Sequence, residues 1–531
     1  MKSVELYDTT LRDGAQKEGI SFSVVDKLNI VRKLDELGIH FIEGGWPGSN
    51  PKDVEFFRQA KKLKLGKSVV VAFGSTRQPA IRAEADTNLR ALTDVELGTV
   101  TIVGKSSRPQ VIRILETSLE ENLSMISDSI RYLTGKGLTV FFDAEHFFDG
   151  FRDNPDYALR CLGVAAEAGA SLLVLCDTNG GALPSEIVNA VRVVSDKISL
   201  PLGIHAHNDG ELAVANTLAA VSMGVVQVQG TINGYGERCG NANLCSIIPN
   251  LKLKMGINCV TDDELAKLTE VSHYVSEVAN LVPDASQPYT GASAFSHKGG
   301  LHVSALAKWS ESYQHIEPGR VGNWPRVVIS ELAGRGSIIY KAKEMGLALP
   351  YEGEELKKLL SQIKLLESRG FQYENAEASF ELLVRRSQPD YQPLFELVDF
   401  MVVVERRRRP PTREELEEMM SEATVKVKVG SEIMHTAAEG NGPVNALDHA
   451  LRRALIQFYP NLANVKLVDY KVRILEESIG TESQVRVLIE SSDGTSEWRT
   501  VGSSTNIIEA SWLALADSLE YWLLKQKACT P

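Results

Sequence analysis

Leu200-Pro201-Leu202-Gly203-Ile204-His205-Ala206-His207-Asn208-Asp209 is the stretch whose reading decides the fold. Its apolar start reads as a short buried strand, and its end turns abruptly polar. His205 and His207 are two residues apart, so on a strand both imidazoles face the same side. Two imidazoles on one face at a strand end can grip a divalent metal. They can equally be a hydrogen-bonded pair in a core. The choice depends on whether the same device recurs elsewhere in the chain.

It does. Short apolar runs fall at 4–7, 39–43, 68–73, 99–103, 138–142, 171–175, 201–204 and 225–229, separated by amphipathic helical patterns such as 24–37 and 211–223. Eight strands alternating with helices match an α/β fold of the (β/α)₈ TIM-barrel type. A doubly wound open sheet is the competitor, and the even spacing and the count of eight favour the barrel. Barrel chemistry sits at the C-terminal ends of the strands. The first run leads into Asp8-Thr9-Thr10-Leu11-Arg12-Asp13-Gly14 and the second into Glu43-Gly44-Gly45. The fifth leads into Glu145-His146, the sixth into Asp177-Thr178-Asn179-Gly180, and the eighth towards Asn233-Gly234-Tyr235-Gly236-Glu237-Arg238-Cys239-Gly240-Asn241. Each alone has the composition of a turn or a helix cap. Their joint placement after successive strands points to a site.

Asp13, His205, His207 and Asn241 supply two imidazoles and two oxygens. That mixture suits Mg²⁺, Mn²⁺ or Zn²⁺ with positions left open for substrate, and such a metal acts as a Lewis acid on a carbonyl. Arg12 is always charged and can steady a developing oxyanion. It can also pair with a carboxylate such as Glu145, and the two roles are compatible. Thr178 can donate to a substrate carboxylate or cap a helix.

At 531 residues the chain is too long for one ordinary core, so two or three domains are expected. Hydrophobic content of 43% with 24% charged residues is that of a soluble globular protein. The net charge of -12 argues against nucleic acid or an anionic membrane as partner. Arg406-Arg407-Arg408-Arg409, beside Pro410-Pro411, is a local exception and reads as a solvated linker. Six scattered cysteines without C-x-x-C spacing suit a reducing compartment. The chain enters a strand at once, with no signal-peptide core, and no apolar run is long enough to span a membrane. A cytoplasmic protein is expected.

Residues 260–390 look helical and linker-like, and three of the ten histidines (His297, His302 and His315) fall in a short span there. From about 394 an internal repeat begins. Val425, Val427 and Val429 alternate with lysines ahead of a helix at 443–457, and Val485, Val487 and Ile489 recur at the same spacing ahead of a helix at 505–524. Two such strand-then-helix units suggest an α+β domain with pseudo-twofold symmetry. Gly440-Asn441-Gly442 lacks the Lys-Ser/Thr of a phosphate loop, which argues against nucleotide binding. The expected division is a catalytic barrel over 1–270, helical linker subdomains over 271–393 and the repeat domain over 394–531.

The segment Asp8–Gly14, with Glu145, His205-Ala206-His207 and Gly236–Asn241, resembles the DRE-TIM metallolyases. Within them it is similar to the Claisen-condensing synthases of isopropylmalate, homocitrate and citramalate. His297-Lys298-Gly299-Gly300-Leu301-His302 resembles that group's subdomain motif, and Glu439–Ala446 its C-terminal regulatory domain, so the resemblance spans essentially the full length. It implies that Asp13, His205 and His207 bind the metal, with Asn241 completing or supporting the shell. It also implies that Arg12 and Glu145 serve catalysis and that Thr178 and Arg12 hold a 2-oxo acid. His302 and Tyr313 would come from the partner chain of a homodimer to help enolise acetyl-CoA. The stretches 41–51 and 141–150 most resemble the branch whose acceptor is pyruvate, which implies feedback by isoleucine on the C-terminal domain. The alternatives are a synthase for a larger 2-oxo acid and a hydroxymethylglutaryl-CoA-lyase-like aldolase. The C-terminal repeat weighs against the lyase. A non-enzymatic barrel is disfavoured by the complete set of ligands, arginine and glutamate.

Overall fold

Eight parallel strands close into a barrel in chain order: β1 (Glu5–Asp8), β2 (Phe41–Gly45), β3 (Val69–Ser75), β4 (Thr99–Lys105), β5 (Thr139–Glu145), β6 (Leu172–Asp177), β7 (Leu202–Ala206) and β8 (Gln227–Gly230). In this computed structural model the described residues are 3–297, 302, 305–306, 308–309, 311–327, 354–373, 376–388, 391–405, 420–475 and 483–528. All eight expected runs became strands, and the ring closes through β1 pairing with β8.

The strands are buried on both faces, which is why they read as near-continuous apolar runs. Their outward residues, such as Leu6, Ile42, Phe142, Leu173 and Ile204, pack in one core with the surrounding helices. The helix Val24–Glu36 is typical of those helices. Ser23 and Asp26 cap its start reciprocally, and Leu28, Val31 and Leu34 turn inward. It is followed by Gly38 at φ 85°, a left-handed position where only glycine is unstrained.

Inward residues form a second, small cluster of Tyr7, Val71, Phe141, Leu172, Val174 and Cys176. One step along each strand the inward positions change character: Phe41 gives way to Glu43, Phe141 to Asp143 and Gly203 to His205. The bottom of the barrel is therefore greasy and its top charged. Charge in a buried place needs partners, and those partners build the site.

The described residues fall into two compact units, one of residues up to 295 with 314–325, the other of 296–313 with 326 onward. The second unit carries the repeat, with more strands than expected. Each repeat has three antiparallel strands before its helix: β9 (Glu396–Glu405), β10 (Met420–Val429) and β11 (Glu432–Gly440), then β12 (Lys466–Ile474), β13 (Val485–Ser492) and β14 (Glu497–Ser504). The helices Pro443–Leu455 and Ile507–Ala528 follow them. The additional strands β9 and β12 lie at sheet edges and mix apolar residues on both faces, so the period-two signal is weak there. Ala423, Val425 and Val427 pack against the first helix, and Val487 and Ile489 against Ala510 and Ala514 of the second. Arg406–Arg409 and Lys298–Leu301 lie outside the described residues. Among the described residues no helix is long and apolar enough to cross a membrane.

Candidate active site

His205 lies on β7 and His207 just beyond its end, both buried. Asp13 sits in the turn after β1, and an isolated antiparallel bridge sets Asn241 beside His207. The Asp13 carboxylate oxygen Oδ2 is 3.3 Å from His205 Nε2 and 3.9 Å from His207 Nε2. The two Nε2 atoms are 3.4 Å apart. Asn241 donates through Nδ2 to the Tyr235 carbonyl at 3.1 Å, while its buried Oδ1 has no hydrogen-bond partner. A buried polar atom left unpaired costs about 1–3 kcal/mol, so an orphaned oxygen on the residue bridged to His207 needs a reason. Among the described residues, Asp13, His205 and His207 are the one group of three that could hold a metal ion. The donor set, two imidazoles with one carboxylate and a spare amide oxygen, fits a divalent cation.

The charges of this group are interlocked. Burial works against an ionised Asp13, but Arg12 and the two imidazoles outweigh it and hold the carboxyl far below its ordinary range. Burial likewise disfavours a protonated His205, yet Asp13 pulls that ring upward. His207, buried and beside His205, is pushed down to about 4.

Arg12 departs from the expected pairing. Its Nε donates to Glu43 Oε1 at 2.6 Å, and its guanidinium carbon lies 3.9 Å above the Phe73 ring. Glu145 does not pair with it. The Glu145 carboxylate instead meets Lys105 Nζ at 2.5 Å. Strand order explains both contacts. Arg12 follows β1, whose neighbour is β2, whereas Glu145 ends β5 in register with Lys105 of β4. Tyr7 steadies Glu43 from below, donating to Oε2 at 2.7 Å.

The Thr178 hydroxyl oxygen accepts from the His146 backbone N–H at 2.8 Å, which leaves its own O–H able to donate. It thereby steadies the loop where His146 takes left-handed backbone angles, φ 56°. Such strain is concentrated at functional sites. Arg12, Lys105, Glu145 and Thr178 share a cavity of about 450 Å³ with the histidines, walled by Trp46 and Phe73. These two rings meet edge to face at 5.4 Å, and Trp46 Nε1 donates to Asn88 at 2.6 Å. His302 and Tyr313 belong to the second unit, where their rings stack with centroids 4.0 Å apart.

Three residues escaped the sequence reading: Lys105, Asp143 and Gln229. Asp143 is fully buried, and burial with the neighbouring Glu43 raises its carboxyl to about 7. A period-two reading of β5 would have found it, since it alternates inward with Phe141 and Glu145. The same reading of β4 and β8 turns Lys105 and Gln229 inward, but nothing local names their partners.

Comparison with known proteins gives a consistent picture. Residues 3–275 match the HMGL-like family, 289–370 the homocitrate synthase post-HMGL domain-like family, and 374–523 the LeuA allosteric (dimerisation) domain. The (R)-citramalate synthase of Geobacter sulfurreducens is 55% identical over 527 residues, covering 99% of both chains. That of Aquifex aeolicus is 50% identical, again over 99% of both chains. That of Synechocystis is 52% identical over 98% of this chain and 96% of its own.

Proposed function

The chain belongs to the (R)-citramalate synthase family, on an HMGL-like barrel, and on that premise we propose that it condenses acetyl-CoA with pyruvate to give (R)-citramalate and CoA. The chain is an acyltransferase of the kind that turns the acyl group into an alkyl group. The observation that carries the reading is the convergence of Asp13, His205 and His207 with Arg12 and Glu145 in one cavity.

Asp13, His205 and His207 hold the divalent cation, which is Mg²⁺, Mn²⁺ or Zn²⁺, and Asn241 completes or supports its shell. When bound, that ion supplies Lewis-acid polarisation of the acceptor's ketone. Thr178 and Arg12 hold the carboxylate of pyruvate. Arg12, braced by Glu43 and Phe73, also faces the negative charge that grows on the former ketone oxygen. A base takes a proton from the thioester methyl, the hard step. That carbon bonds to the ketone carbon, the ketone oxygen gains a proton, and water cleaves the thioester to release CoA. Glu145, ion-paired with Lys105, is the carboxylate placed to move these protons. His302 and Tyr313 of a second chain assist the enolisation.

A homodimer follows from the match to a dimerisation domain and from the exposed apolar side chains Met401, Val403, Ile433, Val468 and Ile474 on the C-terminal sheets. The catalytic barrel is assigned to 1–270, the linkers to 271–393 and the regulatory domain to 394–531. The effector is isoleucine, end product of the route that citramalate feeds, and the enzyme works in the cytoplasm. Thiol release from acetyl-CoA with a panel of 2-oxo acids tests the reading. Pyruvate is expected to be fastest. Faster release with 2-oxoisovalerate or 2-oxoglutarate would move the assignment to a larger acceptor, and none with any acid would end it.

A further inference from the structure

We propose that Gln229 and Asp143 form a relay that fixes the His205 ring in the tautomer a metal ligand needs, making both of them positioning residues. This rests on the reading that Asp13, His205 and His207 hold the metal. Gln229 of β8 is in register with His205 of β7, and both side chains project into the barrel. Gln229 is fully buried, so no solvent competes for its amide. One end of that amide, Oε1, lies 2.9 Å from His205 Nδ1. The other end, Nε2, donates to Asp143 Oδ1 at 3.3 Å.

These contacts constrain one another. An ionised Asp143 has only acceptor oxygens, so the amide must turn its NH₂ towards β5. Its carbonyl then faces His205, and Nδ1 must carry a hydrogen. Nε2 is the nitrogen left to face Asp13 and His207, 3.3 and 3.4 Å away. Were the amide reversed, its NH₂ would demand a lone pair on Nδ1 and drive the ring proton onto Nε2. That ring could not be a ligand through Nε2. Asp143 therefore acts on His205 from two side chains away, without touching it.

The relay predicts behaviour that packing alone would not. Titrated calorimetrically with Mn²⁺ near pH 8, Gln229→Leu is expected to bind about 10–100-fold more weakly than the unaltered chain. Asp143→Asn removes the demand on the amide and is expected to fall between them. The double change Gln229→Glu with Asp143→Asn keeps an acceptor facing Nδ1 and a donor behind it, so it is expected to recover most of the affinity. Unchanged Mn²⁺ affinity in Gln229→Leu would overturn the relay, and so would a double change that binds no better than Gln229→Leu. If Gln229→Leu does not fold, Mn²⁺ affinity in Asp143→Asn decides. His205→Ala is the separate control: if it binds Mn²⁺ like the unaltered chain, the metal-site reading fails, not the relay.

Discussion

The barrel and the C-terminal repeat bury different things. In the barrel, inward positions run from Phe41 and Phe141 to Glu43 and Asp143, so charge is drawn inside at one end. In the repeat, the inward positions Val425, Val427, Val487 and Ile489 stay apolar, and apolar residues such as Met401 and Val468 remain exposed. Buried charge is costly and persists where chemistry needs it. Exposed apolar surface is costly in solution and marks assembly. On the proposed function this contrast divides labour between the two: reaction in the barrel, association and control in the repeat.

The largest effect that could break this comparison is at the metal group. Asp13→Ala or His205→Ala is expected to cut thiol release by at least about 10³-fold with the thermal transition retained, because barrel stability does not reside at the strand ends. Near-normal turnover after chelation and metal-free dialysis would remove the metal from the account. Arg12→Ala and His302→Ala are each expected to lose about 10²–10⁴-fold. Mixed chains should regain part of the activity, since one site of the heterodimer is intact. No recovery, with subunit exchange demonstrated, would mean that each site is built from one chain.

Lys105 sharpens the barrel side of the contrast. Its ion pair aims Glu145 into the cavity, so Lys105→Met is expected to lower kcat about 10–100-fold with a smaller change in KM for pyruvate. Equal loss in both would make it a binding group instead. On the repeat side, a chain ending near 393 should keep residual chemistry and lose its response to isoleucine, a coupling of about 5–150-fold in affinity. Saturating isoleucine without effect on the full chain would end that assignment.

The smallest effect is structural. His40 accepts the Leu6 N–H at Nδ1, and burial lowers its pKa to about 4. The folded chain keeps this ring neutral, whereas the unfolded chain protonates it near 6.5. Its contribution is thus present above about 6.5 and lost as pH falls towards 4. Partial solvation trims the loss to about 1–2 kcal/mol. His40→Gln should flatten urea-unfolding stability between pH 7.5 and 4.5; an unchanged slope would clear His40 of that role.

Much of this was open to reading along the chain. Apolar runs of strand length with polar residues after each one determine the barrel and its active end, because alternation and burial are local properties of a strand. His205 and His207 share a face for the same reason, and the motif from Asp8 to Gly14 puts Asp13 and Arg12 at a strand end. Local order also carried the two repeats, though not β9 and β12, where apolar residues on both faces blur the period. What no local pattern could decide was who meets whom. Arg12 pairs with Glu43 rather than Glu145 because β2, not β5, lies beside β1. Lys105 reaches Glu145, and Gln229 bridges His205 to Asp143, through contacts spanning 24 to 86 residues of sequence. Such partners are chosen by ring closure and strand register, which exist only once the whole sheet has formed.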